Sequence, residues 1–150
     1  VVLDEITEYL SFNGVGSMGV DLFYGAMKES YPSSVIIVQI YGGIQDEPSL
    51  GDSTSFGRAI RLEYPRIQIL CRGVRDDTTG PYQRAVNARD ALVRISNQVL
   101  KGVKYLAVEP LQPPFRLRSD ENFREHYAFN CQVTKEIVAG IDYGWIDPGL

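Results

Sequence analysis

One run constrains this chain more than any other. Ser34 to Tyr41 reads Ser-Val-Ile-Ile-Val-Gln-Ile-Tyr, rich in β-branched residues and apolar at odd and even positions alike. Branching at Cβ favours extended backbone, and a strand that is apolar on both sides can leave neither face in water. The run predicts a strand in the middle of a sheet or at a contact between subunits, ended by Gly42-Gly43. His126 to Lys135 is a strand of a different kind. Tyr127, Phe129, Cys131 and Val133 face one way, and Asn130, Gln132 and Thr134 face the other, so one side of the sheet is expected to cover a core.

Between these two lie weaker strands. Arg66 to Gly73 alternates, after an extended Ile60–Tyr64 piece that runs into Pro65, and Val103 to Glu109 is a further strand. Two helices are predicted. Leu3, Ile6 and Leu10 follow helical spacing, with Asp4, Glu5 and Glu8 on the polar side and Asn13-Gly14 as the stop. Ala85, Ala88, Leu92, Ile95 and Val99 recur at steps of three and four, predicting one helix from the Asp76–Pro81 entrance to Lys101-Gly102. Leu111–Pro114 and Arg118–Asn122 read as turns, and Ile44–Gly57 as a long polar loop. The order is α-β-β-α-β-β. It predicts an α+β fold: a mainly antiparallel four-stranded sheet with two helices packed on one face. Residues 1–138 form the expected single domain, and residues 139–150 a glycine-punctuated tail.

At 150 residues, with 44% hydrophobic and 23% charged, the chain has the size and composition to bury one core. A formal charge of −4, without a basic stripe, argues against a free-standing nucleic-acid binder, which must neutralise phosphates. No apolar run reaches the length of a membrane span, and the N-terminus lacks a signal-peptide pattern, so folding in a cytoplasm is expected.

Motifs for chemistry are few. Gly14-Val15-Gly16-Ser17-Met18-Gly19 spells GxGxxG, but it follows a helix and leads into a short extended piece, the reverse of a dinucleotide-binding turn. A nucleotide-dependent enzyme using that turn is therefore a rival reading, with a plain glycine-rich turn ahead of it. His126 is the only histidine and stands outside any catalytic motif, at a strand start where partial exposure is expected. Asp76-Asp77 and Asp120-Glu121 read as solvated turns, and no metal-cage spacing is present. Cys71 and Cys131 read as buried, inert thiols. Neither a catalytic residue, nor a cofactor, nor a metal ligand is expected, and the chain is read as a non-enzyme. Arg72, Arg75, Arg84, Arg89 and Arg94 make either a solvated helix face or a contact surface, and Tyr143 and Trp145 either fold back or anchor a partner. A ferredoxin-like module binding a ligand or nucleic acid is the second rival; the aromatic signature of an RNA-binding sheet is missing.

The layout as a whole resembles the tail terminator or minor capsid (tail completion) proteins of tailed bacteriophages. The resemblance runs from about Leu3 to Val138. It rests on the opening helix, the Gly14–Gly19 turn with Asp21-Leu22-Phe23 after it, and the strands ending at Tyr41-Gly42-Gly43 and Cys71-Arg72-Gly73. The alanine-rich helix and the closing Asp120-Glu121-Asn122 and Tyr127–Thr134 segments complete it. It implies a structural virion protein of the tail or neck, assembled in the host bacterial cytoplasm. The implied assembly is a homo-oligomeric ring, typically a hexamer, that caps the tail tube, stops its polymerisation and meets the head–tail connector, with DNA passing through the lumen unbound and no membrane involved. A neighbouring connector or completion protein is the closest alternative. A ring needs two unlike, complementary faces on one subunit. The candidate interface residues are Ile36, Val38 and Tyr41 on the first strand, Ser53 and Phe56 in the long loop, Arg84 and Arg94 on the second helix, and Tyr143 and Trp145 in the tail.

Overall fold

A computed structural model describes residues 2–48 and 60–138. Its elements are α1 (Val2–Phe12), β1 (Leu22–Tyr24), β2 (Val35–Pro48), β3 (Ile60–Arg75), α2 (Thr79–Leu92), β4 (Ser96–Leu100), β5 (Val103–Pro110), β6 (Phe115–Ser119) and β7 (Arg124–Val138). The strands form one seven-stranded sheet in the order β1-β2-β3-β7-β5-β4, with β6 paired to the other end of β7. It is a mixed sheet, since β1 runs parallel to β2 while the remaining pairs are antiparallel. It curls into a half-barrel. The four-stranded antiparallel sheet expected from the sequence is thus wrong, and three strands account for the difference.

The first is β4. The apolar stripe predicted one helix to Lys101, but α2 stops at Leu92 and Ser96–Leu100 is a strand. Val93 and Ile95 are β-branched and Ser96-Asn97 are poor helix formers, whereas Lys101-Gly102 suits a hairpin. Both of those residues have positive φ, 50° and 81°, the geometry of a two-residue turn that matches strand twist. Leu100 and Val103 pair across it, and Val99, placed on the helix stripe by its spacing, is exposed. The second is β6, which takes Arg118 out of the expected turn and pairs Phe115 with Ala128 and Ser119 with Glu125. The third is β1, three residues long and recognisable only once β2 lies beside it.

One side of the sheet carries the main core. Ile36 and Val38 of β2, Ile67, Ile69 and Cys71 of β3, and Phe129, Cys131 and Val133 of β7 pack there with Ile6 and Leu10 of α1 and Ala85, Ala88 and Leu92 of α2. The Tyr9 hydroxyl ties the helices together by donating to the Ala91 carbonyl (2.8 Å). The alternation of β7 was therefore a faithful guide to its buried side. The opposite side of the sheet buries a smaller cluster, Val35, Ile37, Leu70 and Ala128, beneath Phe23, Met27, Tyr31 and Phe115. This is why the first half of β2 is apolar at every position.

At Tyr41 the register between β2 and β3 slips, from Ile40 opposite Ile67 to Gly42 opposite Arg66. Such a bulge re-aims the residues around it, and Ile40 and Tyr41 are both exposed. Residues 44–48, expected in a loop, continue β2; residues 49–57 of that loop lie outside the described residues.

Candidate interaction site

The Gly14–Gly19 turn lies in an open hollow with Ser11, Asp21, Ser34 and Arg84. The Asp21 carboxylate accepts from the Ser17 N–H (2.7 Å), one of the amides a phosphate would need. Its other oxygen lies 3.1 Å from Arg84 Nη2, and Arg84 Nη1 donates to Ser34 Oγ (2.9 Å). The turn is a clasp between the loop, β2 and α2, and an acidic side chain stands where a pyrophosphate would bind.

A second cluster closes the sheet at the β6–β7 turn. Asp120 accepts from the N–H groups of Asn122 and Arg124 (2.9 Å each) and from Arg124 Nε (2.9 Å), and stands 3.2 Å from His126 Nε2. Burial opposes its ionisation, but these donors outweigh burial and hold its pKa well below the usual carboxylate range. His126 is 1% exposed, in contrast to the partial exposure expected at a strand start. Burial pushes its pKa down; Asp120 partly offsets this, while Arg118 and Arg72 reinforce it. Arg72 is also buried, and it donates to the carbonyls of Ser33, Pro32 and Tyr31. Asp120, read as a solvated turn residue, is instead the hub of this turn, and its spacing to Arg124 and His126 is the signal that pointed there. Asp77 also serves its own turn, since its carboxylate accepts from the Gly80 N–H (3.0 Å) at the start of α2, where Thr78 makes no capping bond.

A third cluster sits at the far end of β7. The Tyr105 hydroxyl donates to Glu5 Oε1, and Lys135 Nζ lies 3.6 Å from Glu5 and 3.3 Å from Glu63. Glu5, placed on the polar side of α1 by its spacing, is 5% exposed. Burial, reinforced by the carboxylate of Glu5, raises the Tyr105 pKa far above its ordinary value. This network pins α1 to the sheet.

Cys71 and Cys131 are buried, and burial pushes both thiols up to about 12, so neither is a thiolate at neutral pH. Among the described residues, no group of three His, Cys, Asp or Glu side chains could hold a metal ion, and no helix is long and apolar enough to cross a membrane.

The structure disperses the candidate interface residues. Ile36 and Val38 are fully buried in the main core, so the domain itself uses them. Arg84 belongs to the Asp21 clasp, and Arg72 is internal. Arg94 and Tyr41 are exposed. Ser53, Phe56, Tyr143 and Trp145 lie outside the described residues. What sequence reasoning missed is backbone. β1 covers β2 only at Ile36, Ile37 and Val38, with a last bond from the Gly25 N–H to the Val38 carbonyl. From Gln39 to Pro48 that side of β2 has no strand beside it among the described residues. β6 likewise pairs on one side only. An open strand edge is a row of unmet donors and acceptors, and so a ready contact surface.

A family model described as bacteriophage tail terminator protein matches residues 9–137 of this chain. Among solved structures, a chain of the virion of a native gene transfer agent particle is similar at 14% identity with a TM-score of 0.48. The match covers 79% of this chain and 81% of that one. No curated protein matches.

Proposed function

The chain belongs to the bacteriophage tail terminator family, and on that premise we propose that it forms a ring of about six copies that caps the tail tube and meets the head–tail connector. The family match over residues 9–137 carries this reading. The family is one of structural virion proteins, consistent with a non-catalytic role. The charged clusters support the same reading, because each is consumed in holding one element to another. The formal charge of −4 fits a lumen through which DNA slides without sticking. Open strand edges at different places on one subunit suit a heterologous contact, which closes into a ring when the rotation between neighbours allows. Exposed Tyr41 and Arg94 are the ring or tube contacts among the described candidates.

The test is the mass of the purified protein by light scattering, alone and with tail-tube protein, together with tube lengths by electron microscopy. The expected result is a closed ring, or subunits that assemble on tube ends and arrest growth. A monomer that leaves tube growth unchanged overturns the reading.

A further inference from the structure

Two apolar features of this chain lie at the same end of the sheet. The first is a hollow of about 350 Å³ between α1 and β4. It is lined by buried Tyr9 and Leu100 and by Phe12 and Val99, which are 90% and 62% exposed. Asn13 and Gln98 add polar groups to the lining. The second is the sequence of residues 139–150, which carries Ile141, Tyr143, Trp145 and Ile146.

The point at which the chain leaves β7 sets what this segment can reach. Val138 pairs with Ile60. Tyr105 of β5 pairs with Lys135 on one side and with Gln98 of β4 on the other, so Gln98 lies level with Lys135, two strands away. At about 5 Å between strands and about 3.3 Å per residue, Val138 stands roughly 15 Å from Gln98, and the stretch from Val138 to Trp145 spans up to about 23 Å. Gly140 follows β7 closely enough to turn the chain across the sheet.

We propose that residues 139–150 cross back over β4 of their own subunit and seat Trp145 in the hollow, between Phe12 and Val99. The indole then covers apolar surface that water otherwise meets. Asn13 Nδ2 is spent on the Tyr9 carbonyl (2.8 Å), which leaves Oδ1 to accept from the indole N–H. Tethering favours a segment of the same chain over that of another copy, because a short linker holds it at an effective concentration of about millimolar. The strap fastens α1 to β4 and withdraws this face from contact with neighbours. It does not depend on the ring.

Trp145 is the sole tryptophan, so the intact chain reports on its own docking. Its fluorescence should be blue-shifted from that of the chain in urea, and shielded from iodide, at every protein concentration. Val99→Asp and Phe12→Ser, both at exposed positions, should each lower the docked-to-undocked ratio about tenfold. Emission and quenching then move toward the values in urea while circular dichroism stays unchanged. With Gln98→Cys and Tyr143→Cys together, a short thiol cross-linker should join the two within one chain; Cys71 and Cys131 are buried and do not compete. Water-like emission in the unaltered chain overturns the proposal. So does shielding that both variants leave intact, since the segment then docks elsewhere. Shielding that appears only as concentration rises, with cross-links between chains, gives the hollow to a neighbouring copy and overturns docking within the subunit.

Discussion

The two sides of the sheet are built on opposite principles, although the same strands make both. The main side is a continuous apolar surface from β2 across β3 and β7, sealed by both helices. The other side changes along the strands. It begins with the buried side chains of Arg72, Arg124 and His126 beside half-buried Asp120, passes through the small apolar cluster, and ends in side-chain hydrogen bonds, Gln39 to Gln68 (2.6 Å), Gln68 to Asn130 (3.1 Å) and Arg66 to Gln132 (3.1 Å). Burial of apolar area is insensitive to pH and direction, so the first side supplies bulk stability. Polar pairs add little net energy but demand specific partners, so the second side fixes register and brings pH sensitivity with it.

That contrast can be broken at several points. Phe129→Ala, at the centre of the main core, should cost about 3–5 kcal/mol in urea unfolding; a loss below about 1 kcal/mol would mean that this side is not the main source of stability. Asp120→Ala strands Arg124 and His126 and should cost roughly 2–4 kcal/mol, and an unchanged midpoint would show that the charged end is ornamental.

pH separates the two sides further. The native state disfavours the proton on His126, so the stability from this residue is complete above 6.5, its unfolded value, and is lost as pH falls through the lower folded value. Asp120 adds a second loss well below 3.8, because its folded pKa is depressed. Urea midpoints measured from about pH 8 to about pH 4 should therefore decline below 6.5, and His126→Gln should flatten that decline; an equal slope in the variant would remove His126 from the account. The smallest effect is expected at Gln68→Ala, under about 1 kcal/mol. Against Phe129→Ala it calibrates what a half-buried polar rung contributes.

Much of this was legible in the residues. The two-sided apolar run of Val35–Val38 had to lie inside the sheet, and the alternation of Tyr127–Val133 had to cover a core, because side-chain direction in a strand follows from covalent geometry alone. The inert cysteines followed from apolar neighbours, and the family from the order of elements. β4 was hidden because Leu92, Ile95 and Val99 fit a helical stripe and a strand equally well. Only pairing with β5 through Lys101-Gly102 decided between them.

The sequence by itself determined the buried faces of β2 and β7 and that no catalytic motif is spelled out, since both depend on local residue order. Tertiary structure decided how many strands pair, which acids are hubs and where pairing stops. Asp120 and Glu5 look solvated until Arg124, His126, Tyr105 and Lys135 are brought around them. The open edge of β2 exists only because β1 ends at Tyr24. Glu5 and the edge of β2 depend on partners distant in the chain, which no window of sequence contains, whereas Asp120 has Arg124 and His126 close by in sequence and needs the fold of the β6–β7 turn to bring them into contact.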